Sequence, residues 1–172
     1  MGSGSKGPYS SSSGGSQPYA PTYNVVNSML IKDKQDKDIY NPSTGYFKNP
    51  KAKSLENAIL GDRVYSDGKL AHGSLTYVLN ENGEIIFGKR FNPNDSTKRS
   101  PHPTLIGGKN PEVQCAGMIH FLNGKITGFD NDSGHFRPNA KSLSKVESKM
   151  NEIMKKHPNI FSSKYNGGKK YE

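Results

Sequence analysis

Two short segments hold most of the side chains able to move a proton near neutral pH or to grip an anion. The first is Lys98-Arg99-Ser100-Pro101-His102-Pro103-Thr104-Leu105-Ile106-Gly107-Gly108-Lys109. It clamps a histidine between two prolines, places a hydroxyl two residues on, and ends in a glycine pair and a lysine. Proline fixes φ, so the imidazole sits on stiff backbone, while the glycines let a ligand phosphate approach the main chain. The second segment, Asp130-Asn131-Asp132-Ser133-Gly134-His135-Phe136-Arg137-Pro138, carries another histidine beside a hydroxyl and an arginine. His102 and His135 are the candidates for general acid-base work, because an ordinary imidazole titrates near neutrality. Thr104 and Ser133 are candidate positioning hydroxyls, and Arg90, Arg99, Arg137, Gly107, Gly108 and Lys109 are candidates for phosphate or nucleotide binding. Each has a plainer alternative: a histidine tying its loop to a carbonyl, a hydroxyl serving a turn, an arginine in solvent.

The other histidines fit structural places. His72 precedes a strand, His120 falls inside one, and His157 ends a helix, where a cation suits the helix dipole. Neither H-x-x-x-H nor a helical His-carboxylate spacing occurs, so no metal site is expected, although Asp130 and Asp132 lie near His135. Gly107-Gly108 lacks the phosphate-loop pattern. Cys115 is the only cysteine. It can form no internal disulfide, and without a charge partner in sequence it reads as a buried, inert thiol.

These segments need a scaffold, and the chain offers a modest one. Hydrophobic residues make up 31% of its 172 residues, which implies one small core and some chain outside it. The net charge of +9 favours anionic partners: RNA, a nucleotide or an acidic binding protein. No run of about 18 apolar residues is present to cross a membrane. Glycine and serine after Met1 predict no export signal of the chain's own, so if it is secreted, something else carries it.

Residues 1–17 are nearly all Gly, Ser, Lys, Pro and Tyr and read as a flexible leader, partly a cloning remnant at 1–5. A single domain is expected over 18–165, with a frayed tail at 166–172. A short helix fits from about Asn27, a turn at Asn41–Gly45, and a brief helix at Ser54–Gly61 with a hydroxyl cap and a glycine stop. Two hairpins follow. Leu75–Leu79 and Glu84–Phe87 flank Asn80–Gly83, and Cys115–Leu122 and Lys125–Phe129 flank Asn123-Gly124, a pair suited to positive φ at both turn positions. Leu143, Val146, Met150, Ile153 and Met154 mark one face of a C-terminal helix, capped by Ser142 or by a Ser144/Glu147 box and ended by Pro158. The fold class is therefore α+β: a small antiparallel sheet of at least two hairpins, with the C-terminal helix packed on it and a disordered N-terminal leader.

Four pieces in order, Pro101–Gly108, Ala116-Gly117-Met118-Ile119, Gly124-Lys125-Ile126 and Ser133–Pro138, resemble a motif series in C-terminal toxin domains of bacterial polymorphic toxins, notably of Bacteroidetes. The likeness runs from about Gly73 to Met150. A looser likeness, through His-Ser-Ser, Ala-Ala-Gly and Ser-Gly-His-Tyr-x-Pro, is to the core of plant IQ-motif calmodulin-binding proteins; no IQ motif is visible, so calmodulin binding is not carried over. The resemblance implies a secreted effector for interbacterial competition, delivered by a system such as type VI secretion and held harmless by a cognate immunity protein. Met118 stands where the pattern has glutamate, and Phe136 where it has tyrosine, which removes an acid and a phenolic donor.

Three functions compete. The first is a metal-independent ribonuclease without cofactor, with His102 and His135 exchanging protons and Arg99 or Arg137 on the phosphate. The second is an ADP-ribosyltransferase or other NAD-consuming toxin, with NAD as substrate, His102 and Thr104 on the nicotinamide ribose and Arg90 on the pyrophosphate. Only Glu84 and Glu112 remain nearby as acids for it. The third is a non-enzymatic binding module. A monomer, acting on RNA or a nucleotide and bound by an immunity protein, is the expected state.

Overall fold

The two predicted hairpins pair with each other at the centre of one sheet. A computed structural model describes residues 16–48, 53–92 and 95–171. Its main sheet is formed by β1 (Lys53–Ser54), β2 (Gly73–Leu79), β3 (Ile85–Gly88), β4 (Cys115–Leu122), β5 (Lys125–Asp130) and β6 (Gly168–Lys169). The spatial order is β6-β5-β4-β2-β3-β1, antiparallel except where β6 lies parallel to β5. The first hairpin matches Leu79 with Ile85, and the second matches Leu122 with Lys125 across Asn123-Gly124. Both turn residues have positive φ, 47° and 83°, as that two-residue connection requires.

Register divides the two faces. Leu79 opposite Cys115 and Leu75 opposite Ile119 put Leu75, Tyr77, Leu79, Cys115, Ile119 and Phe121 on one side. There α3 (Leu143–Lys156) lays down Leu143, Val146, Met150 and Ile153, all buried, and Met154 packs at the margin. Each such side chain contributes about 1.5–3 kcal/mol by leaving water. The helix is entered through a 3₁₀ turn at Ala140–Ser142 whose start is capped by Asn139, its Oδ1 accepting from the Lys141 amide at 2.9 Å. The expected caps at Ser142 and Ser144 are not used. Ser142 is already helical in backbone and turns its hydroxyl to the Asn139 carbonyl at 2.6 Å.

The other face, carrying Ser74, Thr76, Val78, Ala116, Met118 and His120, lies under the N-terminal segment and the loops. Tyr23, Val25, Met29, Leu105, Val113 and Phe136 close over Val78 and Ala116. The helix expected near Asn27 is α1 (Asn27–Lys34), and Pro103–Ile106 forms a single turn, α2. Tyr40–Asn41 and Tyr46–Phe47 pair around the Asn41–Gly45 turn. The helix expected at Ser54–Gly61 is only a 3₁₀ turn, Glu56–Ala58. The last residues of that segment are taken by strand pairing: Ile59-Leu60 pair with Arg63-Val64 across Gly61.

Both ends of the domain extend beyond their expected limits. Of the leader, residues 1–15 lie outside the described residues. Gln17, placed in it by composition, is tied down: its amide donates to the Arg137 carbonyl at 2.9 Å and its side chain to that of Phe136 at 2.6 Å. The tail, expected to fray, is held as far as Tyr171. Besides β6, the side chain of Asn131 brackets Tyr171, accepting from its amide at 2.7 Å and donating to its carbonyl at 2.8 Å. Among the described residues no helix is long and apolar enough to cross a membrane.

Candidate functional site

Three of the motif pieces meet at His102. It stands at the start of α2, between Pro101 and Pro103, and is 1% exposed. Nε2 lies 2.7 Å from the Gly117 carbonyl on β4, and Nδ1 lies 3.2 Å from the Ser133 hydroxyl. A carbonyl only accepts, so the proton is on Nε2 and Nδ1 accepts from Ser133. Burial, aided by His135 and Arg90 nearby, lowers the His102 pKa to about 4 against the pull of the Gly117 bond and Asp130. His102 is thus a neutral, fixed imidazole with both nitrogens engaged.

His135 is placed differently. Its loop is set by Ser133, whose hydroxyl also accepts from the Phe136 amide at 3.3 Å, and by the Val26 amide on the His135 carbonyl at 2.8 Å. The ring is 2% exposed. Nε2 sits 2.8 Å from Asp33 Oδ2, itself on a residue with no exposed surface. That is an ion-pair separation, but its angles miss those of a hydrogen bond. Asp33 Oδ2 and both ring nitrogens of His135 are the buried side-chain polar atoms left without one among the described residues. Unpaired buried groups of this kind are uncommon and mark sites of function or of bound solvent. Asp33 Oδ1 accepts from Arg99 Nη2 at 3.2 Å, and the same nitrogen reaches Asp36 at 3.4 Å.

His102 and His135 line one cavity of about 60 Å³ together with Thr76, Arg90, Phe91, Arg99 and Pro101. Such a volume holds a few waters or one phosphate-sized group, far less than a whole cofactor pocket. Desolvation lowers the Arg90 pKa, while Asp132 opposes the shift. An imidazole backed by a carboxylate, flanked by two guanidinium groups, can take a proton and stabilise developing negative charge.

The remaining candidates lie off this cavity. Thr104 is buried and bonds the Pro101 carbonyl and the Ser100 hydroxyl, each at 2.7 Å, so it ties α2 to its own loop. Gly107 and Gly108 spend their amides on the carbonyls of Pro103 and Phe47 and offer no cradle for phosphate. Lys109 is exposed on a separate depression beside Asn27 and Glu112. The Arg137 side chain folds back on the Gly134 carbonyl at 3.3 Å. Glu84 contacts Asn80 and Glu112 contacts Thr22, so neither acid lines the cavity. The Phe136 ring belongs to the apolar cluster under the N-terminal segment. Cys115 is buried, which raises its pKa. No group of three or more metal-ligating side chains is gathered among the described residues.

Four residues at or behind the cavity were not singled out from sequence: Asp33, Asp36, Thr76 and Phe91. Asp33 lies in the charged run Lys32–Asp38, which composition assigns to solvent. Its spacing of four from Met29 was the available signal, since i and i+4 share a helix face and both are buried. A second hydrogen-bonded chain crosses the same sheet face. Ser74 Oγ lies 2.7 Å from His120 Nδ1, and His120 Nε2 lies 3.0 Å from Asp130 Oδ2. Asp130 Oδ1 accepts from the amides of Met118 and Asp132, which fixes the start of the His135 loop. No family model, no curated protein and no solved structure matches this chain.

Proposed function

We propose that this domain is the toxic part of a delivered bacterial effector and that it cleaves RNA without a metal, with His135 as its proton-transfer group. The observation that carries the proposal is the cavity itself: a buried imidazole with an unpaired Nδ1, Asp33 against its Nε2, and Arg90 and Arg99 beside it. In this scheme His135 removes the proton of a ribose 2′-hydroxyl, and Asp33 stabilises the resulting imidazolium. The 2′-oxygen attacks the adjacent phosphorus and expels the 5′-oxygen, leaving a 2′,3′-cyclic phosphate. The arginines stabilise the charge that builds on the phosphoryl oxygens, and the expelled oxygen takes its proton from solvent. His102 is a neutral wall held by Gly117 and Ser133, which leaves His135 as base where a pair of histidines acting as base and acid was expected. An immunity protein that silences the domain would act by covering this cavity.

The test is purified domain incubated with end-labelled RNA in the presence of a chelator. Fragments ending in cyclic phosphate are expected, with His135→Ala slower by about 10²-fold or more while remaining folded. Unchanged cleavage by that variant, or loss of NAD in cells with RNA intact, overturns the proposal.

A further inference from the structure

Phe91 is half exposed, at 50%, yet it lines the same cavity as His135, Arg90 and Arg99. It stands on a two-stranded hairpin, Phe91–Asn92 with Asp95–Arg99, which is separate from the main sheet. The register puts Phe91 directly opposite Arg99, and in sequence it follows Lys89 and Arg90. The ring therefore has no place in either apolar cluster. It lines the cavity beside Arg90, which precedes it in sequence, and Arg99, its cross-strand partner.

We propose that Phe91 is a stacking platform for a nucleobase, and that the ligand of this site is an unpaired nucleotide whose phosphate enters the cavity between Arg90, Arg99 and His135. This deepens the ribonuclease proposal and rests on it for the phosphate's place. Size argues for the division. A cavity of about 60 Å³ accepts a phosphate and excludes a base, so the base of any nucleotide bound there must lie outside, against the exposed ring. The chemistry agrees, because every base has a π face and an aromatic ring beside guanidinium groups is how single strands are held without sequence readout. A paired base presents no free face, so the substrate is single-stranded. Both ring nitrogens of His135 lack a hydrogen bond, and the residue lines the cavity, so its ring is available for a polar contact with the phosphate.

The chain contains no tryptophan, so Phe91→Trp places a single fluorophore at the mouth. In the full chain, titration with a nucleoside 3′-monophosphate is expected to quench that fluorescence, whereas inorganic phosphate and ribose 5-phosphate are not. By calorimetry, Phe91→Ala and Phe91→Leu should weaken nucleotide binding by about tenfold or more and leave inorganic phosphate binding unchanged. The leucine variant keeps apolar bulk and removes the π face, which separates stacking from packing. Equal nucleotide affinity in wild type and Phe91→Leu overturns the inference, as does wild type binding inorganic phosphate as tightly as the nucleotide. RNA cleavage with the Michaelis constant for a single strand unaffected by Phe91→Leu would defeat the stacking role and leave the ribonuclease proposal standing. Base-dependent quenching without RNA cleavage would do the reverse.

Discussion

Acidification should destabilise this domain through His102 already above about pH 5, where most carboxylates still hold their charge. An ordinary histidine titrates near 6.5, and His102 near 4 in the folded protein, chiefly because burial disfavours the imidazolium. The unfolded chain therefore binds a proton that the folded one refuses, and stability falls as pH drops from 6.5 to 4. With those two values the loss relative to pH 7 is about 2 kcal/mol at pH 5 and nearly 3 at about pH 4. That is a large part of a typical stability of about 5–15 kcal/mol. Urea unfolding followed by circular dichroism at pH 7, 6, 5 and 4.5 measures it, with His102→Gln as control. Glutamine can still donate to the Gly117 carbonyl, yet it does not titrate. Carboxylates contribute equally to both proteins, so the difference in slope belongs to His102. Parallel pH profiles would refute the assignment of a neutral, buried imidazole.

Gly117→Ala should destabilise the domain strongly, because an added Cβ would stand 2.0 Å from the Asp130 carbonyl oxygen and 2.6 Å from its carbon, both backbone atoms. Its melting temperature and the histidine ring signals by NMR should shift together, since Gly117 also anchors His102. Val146→Asp places a carboxylate in the buried stripe of α3 and should cost about 3 kcal/mol or more, read as a lower urea midpoint. Asp33→Asn should slow RNA cleavage while sparing much of the fold, since asparagine keeps the volume and Arg99 keeps Asp36; cleavage at the wild-type rate would remove Asp33 from the site.

The sheet and α3 were legible because their signals are local and agree with one another. Asn123-Gly124 needs only its own dihedrals, and the stripe from Leu143 to Ile153 follows from helical periodicity alone. The ends were misjudged for the opposite reason. Gln17 and Tyr171 are held by Arg137, Phe136, Asn139 and Asn131, partners 40 or more residues away that local composition does not report. At Ser54–Gly61 the cap-and-stop pattern was local, and the pairing of Ile59-Leu60 with Arg63-Val64 prevailed over it.

The candidate site was legible in part for a related reason. His102 and His135 stand out by type and by the stiffness of their loops, and both do line the cavity. Their difference in role was not in the sequence, because it depends on what faces each ring. His102 meets a strand carbonyl and a serine and is locked neutral, whereas His135 meets a buried carboxylate from a helix about 100 residues earlier in the chain. That carboxylate is costly to bury, and the Arg99 guanidinium on its Oδ1 offsets part of the cost. A charge pattern that local rules assign to solvent thus ends inside the protein at the cavity. Where local consistency fails in this way, the conflict is itself a pointer to function. The N-terminal segment thereby reaches the cavity: α1 carries Asp33 to within 2.8 Å of His135, and without it the imidazole would lose its only carboxylate neighbour among the described ion pairs.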